Sequence, residues 1–332
     1  MSITRREAVL GALGLGAAAL ARPALAQGSA TAPAYPTRTV TVIVPFAPGG
    51  STDFVARLLS QQLSAQLGQQ FVVDNRAGAS GTVAQAILAR ARPDGYTLAV
   101  VPNGTFAMAP FMFERLPYDN ATAFAPIGML ATNAMFICVN PSGPYKTLAD
   151  LLQAAREKPG TISYASAGSG VANHLGVELM LDMSNTSMLH VPYRSGAQGV
   201  QAVLAKEVAL SFVDSVTAVP YLRSGELWAL AVTSAERSKE APDVPTVAES
   251  GLAGYRASTD FGLFAPAGTP EAIVNQLAGA ARRIMLSAEV REKLAPLSID
   301  PVGGTPEEFR PYAAQEMEKW GALIRKRNIK PE

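Results

Sequence analysis

The sequence predicts an α/β protein of two Rossmann-like domains, with crossover strands carrying the chain between them. Three observations predict it. Short apolar, strand-like runs alternate with helix-like runs in both halves. Glycine- and hydroxyl-rich loops directly follow strand-like runs in each half. Long apolar runs, the longest at 127–139 (IGMLATNAMFICV), join one half to the other. With 332 residues, 48% of them hydrophobic and 17% charged, the chain has material for two packed cores.

The N-terminus reads as an address and not as structure. MSITRREAVLGALGLGAAALARPALAQ begins with Arg5 and Arg6, continues as an apolar stretch over 8–21, and reaches the A-x-A pattern Ala24-Leu25-Ala26. Thr4-Arg5-Arg6 and Arg22 resemble a twin-arginine export signal. Ala8 and Val9 stand where that signal usually has Phe-Leu, so general secretion stays open. Cleavage near Ala26 removes three arginines and one glutamate from totals of 28 basic and 27 acidic residues, leaving 25 against 26. So balanced a surface has no electrostatic footprint for nucleic acid or for an anionic membrane. Cys138 is the only cysteine, which excludes a disulfide and a cysteine-based metal cluster. No cysteine stands at the cleavage point to take a lipid. The expectation is an exported, freely soluble, monomeric protein of the periplasm.

After a loose leader at 27–36, runs 40–46, 71–74 and 96–102 read as buried parallel strands. Between the first two, Phe54, Val55, Leu58, Leu59, Leu63 and Leu67 fall at helical spacing. Residues 82–91 supply a second helix, and Gly95 marks the turn into the third strand. Right-handed crossovers in such a βαβαβ unit put the strand C-termini on one edge. Beyond 127–139, Thr147 and Asp150 make a capping pattern for the helix TLADLLQAARE. Strands at 162–165, 188–191 and 208–213 then alternate with helices near 171–182 and 196–205. Runs 227–233 and 261–265 are two further strands. A helix capped at Thr269 with Pro270 in its first position follows, then a short helix from Ser287. The last helix starts at the capping box Thr305-Pro306-Glu307-Glu308 and turns Phe309, Tyr312, Met317, Trp320 and Ile324 towards a core. The expected division is a signal at 1–26, domain 1 over 37–127 and 234–304, and domain 2 over 128–233 and 305–332.

Three loops could carry chemistry. Pro48-Gly49-Gly50-Ser51-Thr52 and Ala77-Gly78-Ala79-Ser80-Gly81 belong to the first half, and Ser166-Ala167-Gly168-Ser169-Gly170 to the second. Each precedes a helix, where free N–H groups and the positive end of the helix dipole favour an anion. GGST lacks the Gly-Lys-Ser/Thr ending of a Walker loop, and Asn173 stands where the last glycine of G-x-G-x-x-G would be. Backbone amides with little fixed positive charge suit a carboxylate better than a polyphosphate. Asp53 opens the first helix, where an acid favours the dipole. Asp214 follows a second-half strand and is placed to meet an ammonium or hydroxyl group, and Asn103 is placed as a neutral donor and acceptor.

Catalysis has little support. No G-x-S-x-G encloses Ser80, Ser166 or Ser169, and the two histidines, His174 and His190, lack the spacing and carboxylates of a metal site. His190, in a strand-like run, reads as a satisfied structural residue; His174, at a helix start, reads as a cap or hydrogen-bond partner. No cofactor is expected.

Taken together, PFAPGGSTDFVAR, VDNRAGASGTVA, PDGYTLAV, SAGSGVANHLGVEL, HVPYRSGAQGV, LWALAVTSAERS, PDVPTVAESGLAGY and GLFAPAGTPEAI resemble the tripartite tricarboxylate transporter substrate-binding proteins, the Bug (TctC) family. The resemblance runs in order over nearly the whole chain after the leader. It implies a periplasmic-binding-protein architecture of type II, the Venus flytrap, in which two domains close on a small carboxylate and present it to inner-membrane transporter subunits. A receptor that reports its ligand to a membrane sensor is the alternative, and an enzyme of small acids a third. The resemblance implies that the carboxylate is held by Gly49, Gly50, Ser51, Thr52, Ala79, Ser80, Ser166, Ala167, Gly168 and Ser169, with Phe46, Asp53, Asn103 and Asp214 completing the candidate set. The chain departs from the family pattern in the second half, at Ala209 and Val213, where acids are usual, and at Val171 in the GSxxH motif. The acid itself is not named; di- and tricarboxylates, acidic amino acids and aromatic carboxylates all remain open.

Overall fold

The computed structural model describes residues 35–330; the expected export signal and most of the 27–36 leader lie outside them. VTVIV, dominated by β-branched residues, forms strand β1 (Val40–Val44), buried on both faces as a central parallel strand must be. Helix α1 (Ser51–Leu67) ends at Gly68, whose φ of 71° is the left-handed stop that glycine adopts at least cost. Strand β2 (Phe71–Asn75), helix α2 (Thr82–Arg90) and strand β3 (Thr97–Pro102) complete the first unit, and β1 runs parallel to both neighbours. A π-helical turn at Gly104–Met108 and a 3-10 turn at Ala109–Phe111 follow.

The long apolar run is two strands, β4 (Phe124–Asn133) and β5 (Met135–Val139), separated by Ala134 alone and belonging to different sheets. Then come α3 (Leu148–Glu157), with the expected Thr147–Asp150 capping box, β6 (Ser163–Ser166), α4 (Ala172–Ser184), β7 (Leu189–Pro192), α5 (Gly196–Leu204) and β8 (Leu210–Asp214). Helix α6 (Ser215–Ser224) was not legible in SVTAVPYLRS, which is rich in β-branched residues and carries Pro220; packing of Ala218 and Val219 against the second core overrides its poor propensity. The chain closes with β9 (Trp228–Val232), β10 (Thr259–Pro266), α7 (Glu271–Met285), α8 (Ala288–Leu294), β11 (Ile299–Pro301) and α9 (Pro306–Arg327). Pro270 caps α7 from outside, with an extended ψ of 134°, and is not its first residue.

Six strands make one sheet, in the order β11-β4-β10-β3-β1-β2, and five make the other, β7-β6-β8-β5-β9. The chain changes sheet between Asn133 and Met135 and returns between Val232 and Thr259. The expected boundary at 127/128 therefore falls inside β4, because backbone pairing and not apolarity decides a strand's sheet. On the same grounds the segment around Thr246 and Val247, expected in domain 1, bonds to Val232 beside the second sheet. Helix α9, expected in domain 2, serves both halves. Its Phe309 meets Phe106 and Phe264 on the first sheet's core, while Lys326 and Arg327 pair with Asp182 and Glu178 of α4.

The register places the working edges. In the first sheet β1, β2 and β3 end together, and antiparallel pairing brings Thr259 and Asn133 to that same edge. In the second, β6, β7 and β8 end at Ser166, Pro192 and Asp214, and Met135 lies opposite Asp214. Both crossings thus leave from strand C-terminal edges, so those edges face each other across the crossings. Ligands of open α/β sheets bind beyond such edges.

Candidate functional site

The first-half site begins where β1 ends. Val44 is paired with Asn75, so the loops after β1 and β2 leave side by side. Pro45 packs so close to Gly81 that a side chain at Gly81 would run into it and into Thr105. Gly50 caps α1, and the amides of Ser51, Thr52 and Asp53, the first three of the helix, have no acceptor among the described residues. The hydroxyls of Ser51 and Thr52 are also without partners among the described residues. These donors sit at the positive end of a 17-residue helix.

Asp53 braces this turn from behind. Its Oδ2 accepts the Gly49 amide (3.1 Å) and Arg57 Nε (2.9 Å), and its Oδ1 accepts Asn75 Nδ2 (2.9 Å). The Asn75 amide also donates to the Phe46 carbonyl (2.9 Å), and its Oδ1 accepts Arg57 Nη2 (3.0 Å). Burial opposes the charge on Asp53, but the bonds from Arg57, Asn75 and Gly49 outweigh it and hold the carboxyl below its ordinary range. Asp53 and Phe46 were both placed among ligand contacts by sequence; the Asp53 carboxylate and the Phe46 carbonyl are engaged within the protein, while the Phe46 residue is half-buried. These bonds tie the turn after β1 to α1 and to the end of β2.

The neighbouring turn stores strain. Gly78, Ala79, Ser80 and Gly81 all have positive φ (145°, 46°, 52° and 90°). For Ala79 and Ser80 this costs about 1–2 kcal/mol each, and it persists because Thr82 Oγ1 donates to the Ala79 carbonyl (2.9 Å) and Thr105 Oγ1 to that of Ser80 (3.1 Å). The amides of Ala79 and Ser80 and the Ser80 hydroxyl have no partner among the described residues. Together with the α1 terminus they make a set of donors at one sheet edge, none of them on a basic side chain.

The second-half loop is differently built. The Ala167 amide donates to Asn173 Oδ1 (3.3 Å), that of Gly168 to Ser166 Oγ (3.1 Å) and that of Gly170 to His174 Nδ1 (2.9 Å). Ser169 is engaged as well. Ser166, only 1% exposed, also holds His190 Nε2 at 2.6 Å. Its hydroxyl therefore serves the loop from within.

Asn103 and Asp214 lie at the crossings. Asn103 is fully buried and donates to the Ser258 carbonyl (2.9 Å) and Asp260 Oδ2 (3.3 Å), while its Oδ1 accepts the Asp260 amide (3.4 Å). It has no surface to offer a ligand in this conformation. Asp214 is half-buried and accepts Thr259 Oγ1 (3.2 Å); burial pushes its carboxyl up, and the threonine bond offsets part of that. Of the family departures, Ala209 precedes β8 at the edge away from Asp214, roughly 16 Å along an extended chain. Val213 is wholly buried and Val171 caps α4. None of the three brings a polar side chain to the facing edges.

Among the described residues no group of three or more His, Cys, Asp and Glu could hold a metal, and no helix is long and apolar enough to cross a membrane. Burial pushes the Cys138 thiol up, away from reactivity. Sequence reasoning missed Asn75, Thr105 and Asn173, whose partners are distant in sequence or across a turn. Arg57 was within reach, since it stands four residues after Asp53 on one helix face.

The chain matches the model of the tripartite tricarboxylate transporter family receptor over residues 55–329. It is 38% identical over 293 residues to a protein of Pseudomonas sp. strain P51 named for the tcbD-tcbE intergenic region, covering 88% of this chain and 87% of that one. It is 32% identical over 331 residues to protein BugT of Bordetella pertussis, covering 99% of each. Among solved structures it resembles R. palustris Rpa4515 with adipate, with a TM-score of 0.82, 34% identity and coverage of 90% and 100%. It also resembles the periplasmic binding protein BugD (0.79, 32%, 90% and 100%) and R. palustris MatC with bound malate (0.78, 33%, 87% and 100%). The family is one of receptors and not of enzymes, BugD is a periplasmic binding protein, and the two-domain α/β architecture of these structures is that of this chain.

Proposed function

Since the chain belongs to the tripartite tricarboxylate transporter receptor family, we propose that it captures a small organic carboxylate between its two halves and delivers it to the membrane subunits of such a transporter. The observation that carries this reading is the set of partnerless donors at Ser51, Thr52, Ala79 and Ser80, fixed at one sheet edge by Asp53, Asn75 and Thr105. A carboxylate has two oxygens and up to four lone pairs to satisfy them. It needs no basic side chain if a helix terminus supplies the positive potential.

Family membership supports a periplasmic receptor; export by the N-terminal signal and a monomeric state are part of the same proposal. Two structural neighbours hold adipate and malate, both dicarboxylates, which supports a ligand of that size. The first-half turns act as the carboxylate clamp, and the second-half loop closes the site from the other side. A ligand bound to both edges stabilises the closed form, and the closed form tightens its hold on the ligand.

A thermal-shift screen of the ligand-stripped protein against small organic acids tests this. An acid at 100 times its Kd stabilises by about 2.7 kcal/mol, several degrees for a domain of ordinary size. A hit among carboxylates, recovered unchanged after hours, is the expected result. Stabilisation by amines or sugars with silence from every carboxylate would contradict it.

A further inference from the structure

We propose that His190 and His174 are positioning residues of the second binding loop, a stacked pair beneath it that sets the loop's shape without touching ligand. The inference takes its functional meaning from the receptor reading above, but its geometry stands apart from any ligand.

The pair is placed by two elements. Parallel pairing sets His190 of β7 beside Tyr164 of β6, and Ser166 lies two residues further along the same face. Helix α4 covers that face. It lays the His174 ring on the His190 ring, with centroids 4.0 Å apart and planes 12° from parallel, while Tyr164 stacks on His190 at 5.0 Å. One hydrogen bond rises from each histidine to the loop. His190 Nε2 meets Ser166 Oγ, which in turn accepts the Gly168 amide and lies 3.0 Å from the Gly168 carbonyl. His174 Nδ1 accepts the Gly170 amide. The loop's two glycines, at φ of 121° and 76°, are thus each tied to one ring.

The rings are themselves anchored. Glu178, one turn after His174 on α4, accepts the Tyr164 hydroxyl (2.8 Å) and Arg327 Nε (2.8 Å), and its Oε1 lies 3.9 Å from His174 Nε2. A continuous chain of contacts therefore runs from the end of α9 through Glu178, Tyr164 and the two rings to Ser166 and Gly168. Protonation of His174 at Nδ1 would put two donors face to face at Gly170. Burial, His190 and Arg327 hold that ring down to about 3, so its acceptor role survives at ordinary pH.

What the pair fixes is a contact between halves. Gly170 is pressed against the Met112 side chain so closely that any Cβ there would overlap it, and Gly104 faces the start of α4. A loop held in one shape meets the opposite edge without an ordering cost at the moment of binding, which raises affinity.

Hydrogen exchange of the Gly168 and Gly170 amides in ligand-free protein tests the inference, with the Phe212 amide of β8 as an internal control. His190→Ala is expected to speed exchange at Gly168 by about tenfold or more, the scale of one lost buried hydrogen bond, with Phe212 unchanged. Ser166→Ala should do the same, and the double variant should add little. His190→Gln, which keeps an amide in place of the ring nitrogen, should restore most of the protection. Unchanged exchange at Gly168 in both single variants, or equal acceleration at Phe212, would overturn the proposal. In the same variants, malate and adipate titrations should show weaker binding for Ala and recovery for Gln. Should the unaltered protein bind no carboxylate while the exchange pattern holds, the receptor reading fails and the positioning role stands.

Discussion

The loops on the two facing sheet edges are built from the same residue types and differ in how many of their amides are already hydrogen-bonded. On the first-half side, Asp53, Asn75, Thr82 and Thr105 bond to the flanks of the turns, and the amides of Ser51, Thr52, Ala79 and Ser80 are left pointing at no protein acceptor. On the second-half side, Asn173, Ser166 and His174 bond to the loop amides themselves. The side chains that support each loop, Ser166 among them, set whether its amides are engaged or left without a protein partner. The comparison also separates the roles of strain. It is held at Ala79 and Ser80 on the open side, whereas glycines take the positive φ values in the second loop.

The contrast can be broken most forcefully at Gly81. Its φ of 90° and its contact with Thr105 and Pro45 leave no room for a side chain. Gly81→Val should lower the unfolding free energy by about 2–4 kcal/mol, read as a urea midpoint. Gly168→Ala, with open space around it save the Tyr193 carbonyl at 4.0 Å, should lose only the left-handed strain, about 1–2 kcal/mol.

Acid should act through the second half next. The ordinary value for His174 is 6.5 and the fold holds it down to about 3. The unfolded chain takes up this proton as pH falls below 6.5 while the folded chain does not, so stability declines across that window. The slope is at most about 1.4 kcal/mol per pH unit. Urea midpoints at pH 7, 5.5 and 4.5 should fall for the native sequence and fall less steeply for His174→Asn; equal slopes would contradict the assignment. Asp53 adds its own loss only at lower pH. Its depressed carboxyl stabilises the fold above its ordinary 3.8, and that contribution disappears as pH falls through the lower folded value.

Serine substitutions sharpen the comparison further. Ser51→Ala should leave thermal stability unchanged, because its hydroxyl has no protein partner, and should weaken carboxylate binding by about tenfold or more, the worth of one charge-assisted hydrogen bond. Ser166→Ala should do the converse in its first effect, lowering stability by about 1 kcal/mol. Calorimetry on both variants distinguishes them. The smallest effect is expected at Ala209, where Ala209→Asp should leave carboxylate affinity within about twofold, since the residue lies at the edge away from the facing loops.

Much of this was legible in the chain. Apolar runs located ten of the eleven strands among the described residues, if the 127–139 run is counted as the two it contains, because most of these strands are buried and read as apolar; β2 and β7, partly exposed, keep enough apolar residues to be found. The capping boxes at Thr147 and Thr305 were readable from spacing alone. What was not readable followed from long-range pairing. The break at Ala134, the return of Thr246 to the second sheet and the double allegiance of α9 depend on which edge or core each segment meets. The loops were identified as loops, but their opposite states were not, since Asn75, Thr105 and His190 reach them from other elements. Asn103 illustrates the same limit: it follows a strand at the right edge, yet Ser258 and Asp260 take up its whole amide.

The central claim is that the first-half turns receive the carboxylate and the second-half loop keeps its own bonds. An amide-resolved NMR titration with malate, adipate and other small acids tests it most directly. The account predicts large downfield shifts at Ser51, Thr52, Ala79 and Ser80, with smaller shifts at the Ala167, Gly168 and Gly170 amides, which keep their protein acceptors. Large shifts confined to 167–170, with the first-half turns silent, would contradict it.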